Sequence, residues 1–121
     1  MTDKRPDEII AFVKETYGEI PREDLKEFLK LLGEAAVPDL QRLEAELSAA
    51  QWTEAADSAH RLRNFTQAVG AAELSQPLQA MESELRAGTG TGAADQLAAL
   101  YAPCVRLAAL VIRLASEPDG L

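Results

Sequence analysis

A long stripe of aliphatic side chains constrains the fold more than any other feature of this sequence. Between Leu25 and Leu47 these residues follow one another at intervals of 4, 3, 4, 4, 3 and 4 positions, the spacing of one face of an α-helix. The stripe consists of Leu25, Leu29, Leu32, Ala36, Leu40, Leu43 and Leu47. Because its phase continues past Pro38, it predicts one long helix, kinked at this proline, that ends near Ala49.

Four more segments have the same helical spacing. A short first helix is expected to end near Gly18, and the third helix to run from about Thr53 to Val69, before a glycine that is typical of a helix end. A fourth helix ends at Gly88, and Pro77 either lies inside it or marks its start. The apolar positions of the first, fourth and last helices are Ile9, Ile10, Val13, Tyr17 and Ile20; Leu74, Leu78, Met81 and Leu85; and Leu97, Leu100, Cys104, Leu107, Val111 and Leu114.

The connections between these segments predict how the helices pack. No segment alternates apolar and polar residues as a strand would, and short loops join the long amphipathic helices. We therefore expect an all-α fold, an antiparallel four-helix bundle with the short first helix packed across one end. We expect residues 1–121 to form a single domain with its bundle core at about 21–115. The stretch "GTGTGAAD" is interpreted as a linker, and Pro103 as a kink in the last helix.

Composition and charge exclude several classes of function. The chain is 47% apolar and 26% charged, as in folded globular proteins, and its net charge is −8. Residues 1–50 hold 12 acidic against 7 basic side chains, and no basic stripe is present, so nucleic acid is not an expected partner.

The sequence also predicts a cytoplasmic location. No uninterrupted apolar run approaches the roughly 20 residues of a membrane span, and the N-terminus does not resemble a signal peptide. With Cys104 as its one cysteine the chain cannot form an internal disulfide, and this residue is expected in the core. Trp52, at the start of the third helix, is expected to pack at the end of the bundle.

The only histidine of the chain lies on a polar face of the third helix. His60, Arg63, Asn64 and Gln67 stand at positions i, i+3, i+4 and i+7, away from the apolar face formed by Ala55, Ala59, Leu62, Thr66 and Val69. His60 is therefore expected near solvent. From this pattern alone, the polar face is either an ordinary solvated surface or a site.

The turn after the third helix places one carboxylate opposite this histidine. Ala71 follows His60 by 11 residues, and Glu82 follows Ala71 by 11, so the two side chains stand at the same height in an antiparallel hairpin. Glu82 then either accepts a hydrogen bond from one ring nitrogen, leaving the other as a nucleophile, or faces water.

The segment "AAQWTEAADSAHRLRNFTQAVGAAELSQPLQAMESELRAG" resembles the core of the histidine-containing phosphotransfer (HPt) domain family. The family pattern is matched by Ala59-His60, Leu62 and Gly70-Ala71, with Arg63 in place of the usual lysine. The preceding "FLKLLGEAAVPDLQRLEAELSAAQW" is similar to the helix that the family places before its histidine. The similarity covers roughly residues 21–115.

This resemblance implies a phosphorelay intermediate and not a kinase, since no ATP-binding motif is present. His60 would accept a phosphoryl group from a response-regulator receiver domain or a hybrid histidine kinase and pass it on. Arg63 would stabilise the phosphoryl oxygens, and Arg61 would add positive field. If the hairpin contact inferred from the residue count forms, Glu82 would orient the ring. The docking surface would include Ala56, Asn64 and Gln67. We expect a monomer without a cofactor, with magnesium supplied by the receiver domain.

Two positions depart from the family pattern. Asn64 replaces a glycine that lets a receiver approach closely; its side chain either hydrogen-bonds the phosphoryl group or hinders docking. Phe65 either turns into the core or offers an apolar contact to a partner. The alternative functions are therefore an HPt-like adaptor that docks receiver or kinase domains without phosphotransfer, and a helical bundle of unrelated role.

Other motifs carry less weight. "GTGTG" superficially resembles a phosphate-binding loop, but no strand precedes it and no Gly-Lys-Ser/Thr follows. His60 and Cys104, 44 residues apart, do not form a metal site.

Overall fold

A computed structural model describes residues 4–121 of the chain, which form five α-helices. Their order is α1 (Pro6–Tyr17), α2 (Arg22–Ser48), α3 (Trp52–Ala68), α4 (Ala72–Arg86) and α5 (Ala93–Ser116). No strand is present in this part of the chain. The predicted all-α class is confirmed, and the predicted C-terminal ends of the first four helices agree with the observed ones to within two residues.

Helices α2 to α5 close into an antiparallel four-helix bundle. Helix α3 packs between α2 and α4, and α5 closes the ring by packing on α2 and α4. The predicted apolar faces of α3 and α5 are buried, as is most of the α2 stripe. Leu32 and Leu47 are half-buried at its edge. The largest fully buried side chains include Leu29, Leu40, Leu43, Leu62, Phe65, Leu78, Met81, Leu85 and Val111.

Helices α2, α3 and α4 all end in a left-handed residue, which turns the chain sharply into the next helix. Gly70 has φ +77 and Gly88 has φ +84, a conformation that glycine adopts without steric cost. After α2 the same place is taken by Ala50, with φ 56. At the α3 end the amide of Ala71 donates to the carbonyl of Thr66 over 2.8 Å, so this tight turn sets the α3–α4 hairpin.

Each of the three prolines in question lies inside a continuous helix. Pro38 is within α2, Pro77 within α4 and Pro103 within α5. A proline leaves the carbonyl four residues earlier without its helical donor. Those carbonyls belong to Glu34, Glu73 and Ala99, all exposed residues, so water can replace the missing donor. Of the two readings of Pro77, the one that places it inside the helix is confirmed.

Helix α1 packs across the end of the bundle where α3 turns into α4, as predicted. Tyr17 donates its hydroxyl to the carbonyl of Ala68 over 2.7 Å, and the ring of Phe12 lies directly over Gly70. Ile9 and Val13 are buried in the core. Ile20, which the spacing assigned to the same apolar side, lies beyond the end of α1 and is 43% exposed.

The connection between α4 and α5 is shorter than the predicted linker. Helix α5 begins at Ala93, so the last three residues of "GTGTGAAD" are helical. Trp52, at the first position of α3, packs against the core, and its indole ring covers Gly90 in this connection. The expectation that Trp52 packs at the end of the bundle is confirmed.

Helix α5 is the one helix among residues 4–121 that is long and apolar enough to cross a membrane by length and composition. Its mean hydropathy over an 18-residue window is 1.8, although charged residues interrupt every apolar run. Leu97, Leu100, Cys104, Leu107 and Val111 are buried in the bundle core. The apolar character of α5 is therefore that of a core helix of the bundle, and it is weak evidence for a span.

Candidate functional site

His60 lies in the middle of α3, at the margin of its exposed face toward α4. Its side chain is 41% exposed, as the helical spacing predicted. Position 60 is held rigidly, since the neighbouring residues Ala59 and Leu62 are fully buried. The imidazole is therefore mounted on a well-packed helix and still open to an approaching molecule.

Glu82 of α4 lies opposite His60, at the height that the residue count predicted. The Nδ1 atom of His60 is 3.1 Å from Oε2 and 3.2 Å from Oε1 of Glu82. Of the two alternatives for Glu82, the contact with the ring is the one observed, and it turns Nδ1 toward α4. No residue within 4–121 hydrogen-bonds the other ring nitrogen, Nε2.

The Glu82 carboxylate sits in a positive environment. Its side chain is only 14% exposed, with the Arg86 Nε atom 3.1 Å from Oε2 and the Arg63 Nε atom 3.4 Å from Oε1. Burial would raise the pKa of Glu82, but hydrogen bonds from His60 and Arg86 and the charges of His60 and Arg63 together hold this pKa below its usual range. Glu82 is therefore an anion at neutral pH and a hydrogen-bond acceptor for Nδ1.

Arg63 folds back onto the His60–Glu82 pair. Its Nη2 atom lies 2.9 Å from Nδ1 of His60, its Nη1 atom is a long 3.5 Å from Oε1 of Gln67, and its side chain is 21% exposed. The Nε atom is buried without a hydrogen bond of good geometry, although it is near the Glu82 carboxylate. The predicted proximity of Arg63 to the histidine is observed, but on the Nδ1 side of the ring.

Arg61 points away from His60, toward α2. Its Nε atom donates to Oδ1 of Asp39 over 3.1 Å, and its Nη2 atom donates to the hydroxyl of Ser58 over 2.9 Å. Arg42 donates to the same Asp39 oxygen over 2.6 Å. Arg61 therefore helps to hold α3 against α2, and its charge is partly neutralised by a carboxylate that is itself 9% exposed.

The prediction that Ala56 belongs to the docking surface is wrong. Ala56 is fully buried. On the helical wheel Ala56 lies about 40° from His60, in the direction of Arg63. The side chains of His60 and Arg63 both reach Glu82 on α4. Helix α4 therefore covers position 56.

Asn64 and Gln67 are exposed, as predicted, on the same side of α3 as His60. The Asn64 side chain makes no hydrogen bond within residues 4–121 and lies near the centre of the exposed face. Gln67 and Arg63 line a shallow concavity that also includes Phe12 and Gly70. Phe65 is buried, which confirms the reading that turns it into the core.

Two contributors to the site, Arg86 and Asp57, were missed in the sequence analysis. Arg86 donates to Glu82 over 3.1 Å and to Oδ1 of Asp57 over 3.1 Å, so it joins α4 to α3 beside the histidine. The Arg86–Glu82 contact could have been predicted, because Arg86 follows Glu82 by four residues, a spacing that brings side chains together on a helix. The Arg86–Asp57 contact depends on the register between two helices, which the spacing within one helix does not give.

Other chemical groups lie outside this site. Within residues 4–121 no three His, Cys, Asp or Glu side chains are grouped so as to hold a metal ion. Cys104 is buried in the core, as predicted, and burial raises the pKa of its thiol to about 11. The candidate site therefore consists of a partly exposed imidazole, a partly buried carboxylate and two guanidinium groups.

Comparison with known proteins agrees with this arrangement. The family model of the Hpt domain matches residues 27–117, about three quarters of the chain, and this range includes His60 and every partner described above. Searches of curated proteins and of solved structures returned no match. A matched family model over this range, on a four-helix bundle with one exposed histidine, shows that the chain belongs to the Hpt domain family.

Proposed function

We propose that this protein is a phosphorelay intermediate that accepts a phosphoryl group on His60 from one receiver domain and gives it to another. Membership of the Hpt family supports a part in two-component phosphorelay by histidine phosphotransfer. The specific acceptor, the transfer itself and the partners are our proposal.

The orientation of the imidazole is the observation that carries the proposal. Glu82 faces Nδ1 at 3.1 Å, and its low pKa keeps it ionised, so it favours a proton on Nδ1 whenever Arg63 does not donate to the same nitrogen. A neutral imidazole with its proton there has a lone pair on Nε2, the nitrogen that faces solvent. This is the nucleophile that phosphoryl transfer requires.

The transfer balances without any other group of this chain gaining or losing a proton. The Nε2 lone pair attacks the phosphorus of an aspartyl phosphate, and the bond from phosphorus to the aspartate oxygen breaks. The aspartate leaves as a carboxylate, and the ring becomes a phosphorylated imidazolium that keeps its Nδ1 proton. Glu82 stabilises that positive ring through the same hydrogen bond, and the reverse step returns the phosphoryl group to a second receiver.

The surroundings of His60 suit an anionic partner site. Arg63 can reach the phosphoryl oxygens from the same face, and Asn64 and Gln67 are exposed beside it. Phosphoryl transfer depends mainly on positioning and charge stabilisation. In this proposal the magnesium ion belongs to the receiver domain, a hybrid kinase is an equally suitable donor, and the protein acts as a cytoplasmic monomer.

Mixing the protein with phosphorylated receiver domains tests the proposal. We expect a single acid-labile phosphate on the wild-type protein, located at His60 by mass spectrometry, and no label on the His60→Gln variant. If the wild-type protein stays unlabelled with every cognate receiver, the relay function is wrong. Label that persists in His60→Gln would assign the acceptor to another residue.

Alanine substitutions of Arg63 and Arg61 test whether the positive charge of Arg63 stabilises the transferring phosphoryl group. Arg63→Ala should slow transfer by about 10²-fold, the usual effect of removing one donor to the transferring group. Arg61→Ala removes the same charge one residue earlier from a side chain held by Asp39 and should change the rate by less than about 3-fold. Stopped-flow transfer rates at saturating receiver separate this effect from docking, and equal losses in both variants would contradict the assignment.

Asn64 supports a second candidate function, an adaptor that docks receivers without phosphotransfer. It occupies the place of the family glycine, and its side chain is exposed close to His60. An adaptor would bind a receiver with no label on the wild-type protein, and Asn64→Gly would restore labelling. If the wild-type protein is labelled, the transfer rate of Asn64→Gly shows what the amide does. A faster rate would mean that the Asn64 side chain hinders docking. A slower rate would mean that it hydrogen-bonds the phosphoryl group.

A further inference from the structure

Two side chains compete for the same nitrogen of His60. The Nη2 atom of Arg63 lies 2.9 Å from Nδ1, and both oxygens of Glu82 lie within 3.2 Å of it. A guanidinium group has only protons to offer, and the Glu82 carboxylate has only lone pairs. One ring nitrogen cannot satisfy both partners at once.

Each partner selects a different form of the neutral ring. A hydrogen bond from Arg63 requires a lone pair on Nδ1, which places the proton on Nε2 and leaves that nitrogen unable to attack phosphorus. A hydrogen bond to Glu82 requires the proton on Nδ1, which leaves the lone pair on Nε2. The two forms of His60 therefore differ in whether the solvent-facing nitrogen is a nucleophile.

We infer that Arg63 is a positioning residue that controls the tautomer of His60, holding it in the unreactive form until an anionic group draws the guanidinium away. The reactive consequence rests on the proposed phosphotransfer function, whereas the choice of tautomer belongs to the isolated protein. On departure of Arg63 the ring gives its Nε2 proton to water and takes one at Nδ1, so the ring stays neutral. Nε2 is then ready to attack.

The contacts of Arg63 are suited to this exchange. Its Nε atom is buried and lies 3.4 Å from Oε1 of Glu82 without a hydrogen bond of good geometry, and its contact with Gln67 is at the 3.5 Å limit. An unsatisfied buried donor is unfavourable, and phosphoryl oxygens offer a guanidinium charge-assisted, bidentate hydrogen bonds. An arriving phosphoryl group can therefore outcompete the present contacts.

Arg86 keeps the Glu82 carboxylate in place while Arg63 moves to an arriving anionic group. It donates to Glu82 over 3.1 Å and is itself held by Asp57 over 3.1 Å. When Arg63 leaves, Glu82 retains one cationic partner and its orientation toward Nδ1. The histidine can then change its proton position without a rearrangement of α3 or α4.

Nitrogen-15 NMR of the imidazole measures this choice directly, because the chain contains a single histidine and the two ring nitrogens have distinct shifts in each tautomer. The experiment uses the whole protein without a partner, at a pH at which its own titration shows the ring to be neutral. We expect mainly the Nε2-protonated form in the wild-type protein and mainly the Nδ1-protonated form in Arg63→Ala. Arg61→Ala, the matched control, should have the wild-type ratio.

Glu82→Gln provides the opposite change. Without the carboxylate, Arg63 alone determines the ring form, and we expect the Nε2-protonated population to rise above that of the wild-type protein. Circular dichroism of each variant confirms that the bundle is folded. The same tautomer ratio in wild-type and Arg63→Ala protein overturns the inference, as does an equal change in Arg61→Ala.

The result separates this inference from the proposed function. If the ratio changes as expected and no receiver labels His60, phosphotransfer is refuted and control of the tautomer by Arg63 is supported. If His60 is labelled while the ratio is the same in every variant, phosphotransfer stands and control by Arg63 is refuted.

Discussion

Glu82 is the residue on which the site depends most directly, since His60, Arg63 and Arg86 all converge on it. One carboxylate, contacted by an imidazole and two guanidinium groups, is stable in the partly buried space between α3 and α4. Neutralising it would leave the Arg63 and Arg86 guanidinium groups without the anion that they share. The carboxylate therefore serves the helix packing as well as the orientation of the ring.

The pH dependence of stability should reveal this role. The pKa of Glu82 in the folded protein lies below its ordinary value of 4.5. Its contribution to the free energy of unfolding is therefore complete above pH 4.5 and is lost as the pH falls through the folded-state pKa. At pH 7 we expect Glu82→Gln to lower the free energy of unfolding by on the order of 1 kcal/mol. At pH 3 the difference from the wild-type protein should shrink, as urea denaturation can measure.

Glu84→Gln is the matched control for this measurement. Glu84 is exposed on the same helix and makes no side-chain hydrogen bond or ion pair within residues 4–121. Its substitution should change stability little at either pH. A difference between wild-type and Glu82→Gln protein that is as large at pH 3 as at pH 7 would show that the carboxylate charge is not what stabilises the site.

At the residue scale, the sequence predicts contacts that follow from one helix or one tight turn. The His60–Glu82 height follows from equal counts on both sides of Ala71, because both helices rise by the same amount per residue. Ala56 was misplaced because a helical wheel does not show where a neighbouring helix lies. The Arg61–Asp39 pair depends on the register between α2 and α3, which helical spacing leaves undetermined.

The turns between helices determine how the elements meet. Gly70 and Gly88 end α3 and α4 in the same left-handed conformation, but their surroundings differ. A Cβ atom at position 70 would lie 2.6 Å from ring carbons of Phe12, whereas one at position 88 would have nothing within 4 Å. The first turn is packed against α1, and the second is open.

Alanine substitutions at these two glycines separate backbone strain from packing. Gly88→Ala should lower the free energy of unfolding by about 1 kcal/mol, the cost of a left-handed residue with a Cβ atom. Gly70→Ala should cost about 2–4 kcal/mol, since the clash with Phe12 adds to the same strain. Urea denaturation of both variants provides the measurement, and equal losses would mean that α1 does not pack on this turn in solution.

At the element scale, apolar spacing predicts all five helices because each has a long, regular core-facing stripe. The place of Pro77 was undetermined, since a proline is equally suited to a first turn and to a helix interior whose freed carbonyl faces water. The end of α2 near Ala49 follows from the apolar spacing, but the left-handed conformation of Ala50 carries no sequence signal, because alanine is not a typical residue for such a turn.

The bundle as a whole protects its one thiol. Cys104 is fully buried on α5, and burial raises the pKa of the thiol from 9.0 to about 11. Since the thiolate is the reactive form, this shift lowers the fraction of reactive thiolate in the native protein. Access is blocked in addition, so modification requires the bundle to open.

Alkylation of Cys104 should therefore report on global unfolding. We expect the native protein to react with a thiol reagent at least about 100-fold more slowly than the urea-unfolded chain. The rate should increase in parallel with destabilisation in Gly70→Ala, as thiol labelling followed by mass spectrometry can show. Rapid modification of the wild-type protein in native buffer would mean that α5 separates from the bundle independently.

At the scale of the whole molecule, the class of fold is predictable because amphipathic helices joined by short turns have few ways to bury their stripes. The chemistry is less predictable, because it depends on side chains from two helices that meet only after folding. Arg63 illustrates this: its spacing from His60 is evident in the sequence, but its position on Nδ1 rather than Nε2 is a property of the folded α3–α4 pair.

The indole of Trp52 over Gly90 has a consequence for how this sequence can change over time. The sequence from Gly88 to Gly92 resembles a linker in which every position tolerates substitution. Yet Gly88 and Gly92 are fixed by backbone conformation, and Gly90 by the ring that covers it. A side chain at position 90 is therefore tolerated only after the residue at position 52 has become smaller than tryptophan.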